Sequence, residues 1–189
     1  MNQKFYDLIE ANPVIAAIKD EDGLNVCCKN EEIRVVFILY GDICNINDIV
    51  SKIHESGKIA MVHVDLISGL SSREITVDYI KKATDADGII STKPSLIKRA
   101  KELSLYTILR IFIIDSMTFE NINYQVLSGK PDMIEILPGL MPKVIKKVSD
   151  MVNIPVISGG LIREKEDVVE ALSAGAISVS STNQNVWLM

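Results

Sequence analysis

Two short segments hold the residue types that cradle an anion. Ser158-Gly159-Gly160 and Ser180-Ser181-Thr182-Asn183 each close a β-branched apolar run. Adjacent glycines let the backbone approach an anion with its N–H groups unobstructed. The hydroxyls add donors, and a short helix starting near Asn183 would add the positive end of its dipole. Two glycines alone favour a tight turn, but with the second segment they point to phosphate on Gly159, Gly160, Ser181, Thr182 and Asn183. A further polar set is scattered upstream. His63 and Asp65 stand two residues apart in MVHVDL, on one face of a strand, where they could act as base and acid, join a metal site, or be a buried, hydrogen-bonded histidine with Asp65 holding a loop or a ligand hydroxyl. Thr92 and Lys93 follow an apolar run, Arg110 sits inside TILRIFII, and Glu135 interrupts MIEIL. A charge within such a strand must be paired or must face a ligand. Arg110 and Glu135 are therefore a structural pair or ligand groups.

Several chemistries lack their residues. The other histidine, His54, falls on a helix, so a multi-histidine metal centre is not expected. Cys27, Cys28 and Cys44 are odd in number and have no metal spacing. There is no G-x-S-x-G elbow and no P-loop. No resident cofactor or metal is expected.

The elements that must position these residues follow one rhythm. Short apolar runs occur at Val14–Ile18, Val35–Tyr40, Ile59–Val64, Gly88–Ser91, Tyr106–Phe112, Met133–Leu137, Pro155–Ser158 and Ala176–Ser180. Such runs fit parallel strands buried on both faces. Between them lie helical stripes: Ile46, Ile49, Val50, Ile53; Ile75, Tyr79, Ile80 behind a Ser71/Glu74 capping box; Leu96, Ile97, Ala100, Leu103 behind Pro94. Phe119, Ile122 and Val126 make a further stripe, as do Val144, Ile145, Val148 and Met151, then Val168, Ala171 and Leu172. Asp20–Asn30 has the least periodic pattern of the helical stretches. Eight strands alternating with helices predict an α/β fold, a compact (β/α)8 TIM-like barrel forming one domain over residues 1–189. An open doubly wound sheet would carry a glycine-rich loop after its first strand, where this chain has Lys19-Asp20-Glu21-Asp22. In a barrel the polar residues above gather at the C-terminal mouth, and the loops after strands seven and eight are a common phosphate site.

Composition sets outer bounds. The chain of 189 residues is 48% hydrophobic and 24% charged, with a formal charge of -5. A generic polycation that binds nucleic acid through bulk charge is excluded. Val35–Tyr40 is far short of a membrane span. The opening MNQKFYDLIE carries acids and lacks a signal-peptide apolar stretch, so a reduced, cytoplasmic protein is expected. Lys98, Arg99 and Lys101 cluster on one helix and Lys143, Lys146 and Lys147 on another; composition alone reads them as solvated faces.

Taken in order, PVIAAIKD, MVHVDLISGL, ADGIISTKPSLIKRAK, LRIFIIDS, PDMIEILPGLMP and IPVISGGLIREKEDVVEALSAGAISVSSTN resemble the glycerol uptake operon antiterminator regulatory proteins of bacteria. The resemblance spans nearly the whole chain and is strongest over residues 60–183. It implies a barrel without established catalysis that responds to glycerol 3-phosphate and acts on the leader mRNA of a glycerol-utilisation operon. It places the effector's phosphate on Gly159, Gly160, Ser181, Thr182 and Asn183. The glycerol hydroxyls then fall to His63, Asp65, Thr92, Lys93, Arg110 and Glu135. The resemblance leaves the RNA-binding face unlocated; Lys98, Arg99, Lys101, Lys143, Lys146 and Lys147 are the basic candidates for it, and a homodimer is compatible with the family role. Asp20–Val35 departs most from the family pattern. Without the resemblance, the same residues read as a barrel enzyme acting on a small phosphorylated sugar or polyol.

Overall fold

The structure, a computed structural model, describes residues 3–189. Within them the chain runs α1 (Gln3–Ala11), β1 (Val14–Ile18), α2 (Glu21–Lys29), β2 (Val35–Ile38), α3 (Ile46–Glu55), β3 (Ile59–His63), α4 (Ile75–Ala83), β4 (Gly88–Ser91) and α5 (Pro94–Glu102). It continues with β5 (Tyr106–Phe112), α6 (Ser116–Glu120), α7 (Ile122–Gly129), β6 (Met133–Leu137), α8 (Pro142–Met151), β7 (Val156–Gly159), α9 (Lys165–Ser173) and β8 (Ser178–Ser181). The eight strands pair in parallel in sequence order, and β8 returns to β1 with Ile15 opposite Ser180, closing the barrel.

Alternation along each strand sorts the core into two bodies. Outward residues such as Ala16, Val36, Val62, Ile89, Leu109 and Ile134 pack under the helices. Inward residues, among them Ile15, Phe37, Met61, Ile108 and Ile157, fill the barrel itself. That inner body includes Phe5 and Ile9 of α1, an element the sequence pattern does not assign. Two apolar residues at i and i+4 are too short a stripe to announce a helix, yet they plug the N-terminal end of the barrel.

Several local expectations need correction. The run at Val35–Tyr40 pairs only to Ile38, and the one at Ile59–Val64 only to His63, because Val64–Leu66 turns into a 3-10 helix. The last two strands shift towards the mouth, to Val156–Gly159 and Ser178–Ser181. The Ser71/Glu74 capping box does not form: the Ser71 carbonyl accepts from Thr76 Oγ1 at 2.6 Å, and Glu74 makes no side-chain cap. The stripe through Phe119 and Val126 breaks at Asn121 into α6 and α7. No α-helix begins near Asn183; the chain makes only a 3-10 turn at Val186–Leu188, so a helix dipole contributes nothing there. The least periodic stretch is a helix, α2. Its acidic run works as a start signal, with the Asp20 carboxylate accepting from Gly23 N–H at 2.8 Å and Glu21 and Asp22 in the first turn.

Candidate functional site

The barrel axis brings the buried charges together. Arg110 on β5 and Glu135 on β6 are direct register partners, so both side chains enter the interior at one level. Arg110 Nε donates to Glu135 Oε2 at 2.5 Å, and Ser180 Oγ on β8 donates to Glu135 Oε1 at 2.5 Å. Arg110 is 6% exposed and Glu135 0%. The sequence alternative thus resolves into a pair, but not a sealed one. Arg110 and Glu135 also line a cavity of about 250 Å³ at the mouth, with Gly160, Arg163, Thr182 and Asn183 at its rim. That is smaller than the roughly 300–1,000 Å³ of drug-sized pockets and suits a small metabolite.

The two glycines divide their roles. A Cβ on Gly159 would lie 2.5 Å from Ser180 Oγ and 2.6 Å from Glu135 Oε1, so glycine here makes room for that hydrogen bond. Gly159 faces the pair and does not line the cavity. Gly160 does, and its φ of +75° is one that glycine adopts without strain. Leu161 follows at φ +65°, uncommon for a non-glycine residue, and the two together swing the chain out over the rim.

On the β8 side the polar groups mostly hold one another. Ser181 Oγ donates to the Ile162 carbonyl at 2.8 Å and accepts from Asn183 N–H at 3.0 Å. Asn183 Nδ2 donates to the Arg163 carbonyl at 3.1 Å. Trp187 Nε1 donates to the Ser181 carbonyl at 2.7 Å, pinning the loop from behind. What is left for a ligand is the Thr182 hydroxyl and the Arg163 guanidinium, which have no partner among the described residues. Arg163 escapes the sequence analysis as a site residue. The signal was a basic residue three positions after Gly-Gly, inside a segment read for its glycines. Arg110, Glu135 and Arg163 are the charged lining residues, so the cavity is net positive inside a net negative protein.

His63, Asp65, Thr92 and Lys93 form a separate cluster between β3 and β4, and none lines the cavity. Asp65 accepts from Thr92 N–H at 2.7 Å, Thr92 Oγ1 at 2.9 Å and Ser91 Oγ at 3.0 Å. Burial would raise this carboxyl, but those hydrogen bonds and His63 hold it below the usual carboxylate range. Lys93 Nζ lies 3.7 Å from Asp65 Oδ1 and donates to Ser72 Oγ. His63 is 3% exposed, and its Nδ1 has no partner among the described residues. Burial, then the nearby Arg110 charge, push it down to about 4, against the pull of Asp65.

That shift makes a prediction. An unfolded chain protonates His63 near 6.5 and the folded one only near 4, so between those values the unfolded state binds more protons. Stability should rise with pH across that window, by up to roughly 3 kcal/mol, and level off above it. Asp65 acts in a different window, stabilising above its ordinary value and losing that contribution in stronger acid. Urea midpoints of the wild type and His63→Gln at pH 4.5 and pH 7 check this: the variant should lose most of the difference. An equal pH dependence in both would contradict it.

The six lysines and arginines proposed for RNA do not form one patch. Arg99 pairs with Asp78 at 2.6 Å and with Glu102 at 2.9 Å, Lys101 with Asp132 at 2.8 Å, and Lys146 with Asp150 at 2.5 Å. Lys98, Lys143 and Lys147 have no ion pair among the described residues. Lys98 is on α5 and the other two on α8, and α6 and α7 intervene in the helical layer. Among the described residues no group of His, Cys, Asp and Glu is arranged to hold a metal, and no helix is long and apolar enough to cross a membrane.

A closed parallel barrel of eight strands alternating with helices, with a small cationic cavity at its C-terminal mouth, belongs to the TIM-barrel class. The comparisons with known proteins narrow that class. A family model for glycerol-3-phosphate responsive antiterminators matches residues 14–187, and the chain belongs to that family. The Escherichia coli K12 protein YgcP is 46% identical over 182 residues, covering 96% of this chain and 95% of its own. The crystal structure of a glycerol uptake operon antiterminator regulatory protein from Listeria monocytogenes superposes with a TM-score of 0.89 at 30% identity, covering 93% of this chain and 94% of that one. A glycerol uptake operon antiterminator-related protein from Thermotoga maritima gives 0.83 at 32% identity, covering 94% and 99%. The resemblance and the barrel expected from the sequence are both borne out.

Proposed function

We propose that this chain is a regulator which binds glycerol 3-phosphate in the barrel mouth and, in that state, binds the leader mRNA of a glycerol-utilisation operon and prevents its premature termination. The observation that carries the reading is Arg110, a buried guanidinium at the inner end of the mouth cavity, opposite a rim of Gly160, Arg163 and Thr182. The phosphate sits on that rim, near the Ser181 and Asn183 loop, and the glycerol end reaches inward. Family membership supplies the effector class and the regulatory role.

Effector binding helps only if the RNA-competent state binds it more tightly, since equal affinity for two states shifts neither. Lys98, Lys143 and Lys147, which have no ion pair among the described residues, are the candidate contacts to RNA phosphates, and a homodimer would double them. The reading as a sugar-phosphate enzyme is less favoured by the geometry. Both oxygens of Glu135 are already hydrogen-bonded, and Lys93 is 40% exposed beside Asp65, not the desolvated amine that a Schiff base needs. Titrating leader RNA with and without saturating glycerol 3-phosphate tests the proposal. Tighter RNA binding with the effector is expected; the same affinity in both arms would sink the coupling.

A further inference from the structure

We propose that Glu135 sets which phosphorylated metabolite the mouth accepts, by neutralising Arg110 so that the inner end of the cavity takes a hydroxyl and rejects a second acidic group. This rests on the mouth being the effector pocket. Arginine carries five N–H donors, and only the Nε–H of Arg110 is committed, to Glu135. The remaining guanidinium N–H groups have no hydrogen-bond partner among the described residues, and Arg110 lines the cavity while being more than nine-tenths buried. The inner end therefore offers donors to an oxygen.

Its charge, however, is cancelled. Glu135 holds the guanidinium at 2.5 Å and is itself fixed by Ser180, with Gly159 kept free of a side chain so that the contact can form. His63, the other titratable group close to Arg110, is neutral at physiological pH because it protonates only at about 4. Asp65 is matched by Lys93. A ligand hydroxyl arriving at Arg110 meets donors and no net charge. A carboxylate arriving there meets the same donors but also the buried Glu135 carboxylate, a like charge. The rim differs, because Arg163 has no ion pair among the described residues and keeps its charge for the phosphate. The cavity is thus built for one anionic end and one alcoholic end.

The test compares glycerol 3-phosphate with 3-phosphoglycerate, which places a carboxylate at the inner end, by calorimetric titration of the wild type and Glu135→Gln. The amide can keep the local hydrogen bonds, with its oxygen on Arg110 Nε–H and its NH2 on the Ser180 hydroxyl. Wild type should prefer glycerol 3-phosphate, and in Glu135→Gln the ratio of affinities should move at least about tenfold towards 3-phosphoglycerate, as for a newly charge-assisted hydrogen bond. An unchanged ratio with both ligands still binding overturns the role of Glu135 but leaves the pocket intact. So does a wild type that takes 3-phosphoglycerate as tightly. If neither ligand binds the wild type, the pocket reading fails as well. Weakening of both ligands by Arg163→Ala reports on that reading separately. Should Glu135→Gln not melt cooperatively, the charge-free double variant Arg110→Met/Glu135→Leu replaces it. Glycerol 3-phosphate should then bind about tenfold more weakly for want of the inner donors; undiminished binding overturns the proposal.

Discussion

Arg110→Ala should lower the melting temperature by about 6–20 °C, the largest loss expected from a single change at the mouth. The reason lies less in the lost contact than in what it leaves behind. Glu135 is 0% exposed, and with the guanidinium gone its carboxylate retains, among the described residues, only the Ser180 hydroxyl. Breaking a buried pair from one side costs about 3–5 kcal/mol, because an uncompensated charge stays in the interior. Removing both charges is a different matter. Arg110→Met/Glu135→Leu should recover most of the stability lost by Arg110→Met alone, since apolar residues of similar volume often replace a buried pair without penalty. Thermal melts of the two forms side by side decide it. A double variant no more stable than the single one would show that packing, not charge, holds this part of the barrel.

Phe5→Ala should cost a similar 3–5 kcal/mol at the opposite end of the molecule. Phe5 is 1% exposed, and its ring stacks on Tyr106 with centroids 4.2 Å apart and planes within 9°. Tyr106 opens β5, and Phe5 belongs to the inner core together with Ile9 and the inward residues of the strands. Truncation leaves a cavity where α1 closes the barrel, and the surrounding strands are too constrained by their ladders to collapse into it. The functional signature separates the two variants. Phe5→Ala should keep its affinity for glycerol 3-phosphate at a temperature where it remains folded, because its site lies at the N-terminal end. Arg110→Ala should lose stability and affinity together. Chemical denaturation with calorimetric binding on the same samples would show this, and a binding defect in Phe5→Ala would contradict the separation of the two ends.

The parts of the fold that periodicity encodes were the legible ones. Runs such as Gly88–Ser91, Tyr106–Phe112 and Met133–Leu137 coincide with β4, β5 and β6, since strands buried on both faces must be continuous apolar runs. Strand ends were less legible. Val64 is as apolar as a strand residue, but the turn that brings Asp65 to Thr92 takes it out of the ladder. α1 could not be read because its meaning is tertiary: Phe5 and Ile9 matter only once a barrel exists for them to plug. At the site, chemistry was legible and partnership was not. A lone Arg and a lone Glu in apolar strands announce themselves, yet only register shows that they meet, and only β8 shows that Ser180 completes the contact. In the sequence the Gly-Gly pair is one feature, whereas φ and the crowding at Gly159 assign the two glycines to different tasks. The helix expected near Asn183 is only a 3-10 turn, and the Asn183 side chain is spent on the Arg163 carbonyl and on Asn185 N–H.

The central claim is that the mouth of this barrel is a receptor for glycerol 3-phosphate. Thermal melting with glycerol 3-phosphate, glycerol and inorganic phosphate in parallel tests it most directly. A ligand at a hundred times its dissociation constant stabilises the folded state by about 2.7 kcal/mol, or roughly 5–10 °C for a domain of this size. The account predicts a shift of that order with glycerol 3-phosphate, little or none with glycerol, and loss of the shift in Arg163→Ala. No shift at saturating glycerol 3-phosphate, or an equal shift with glycerol, would contradict it.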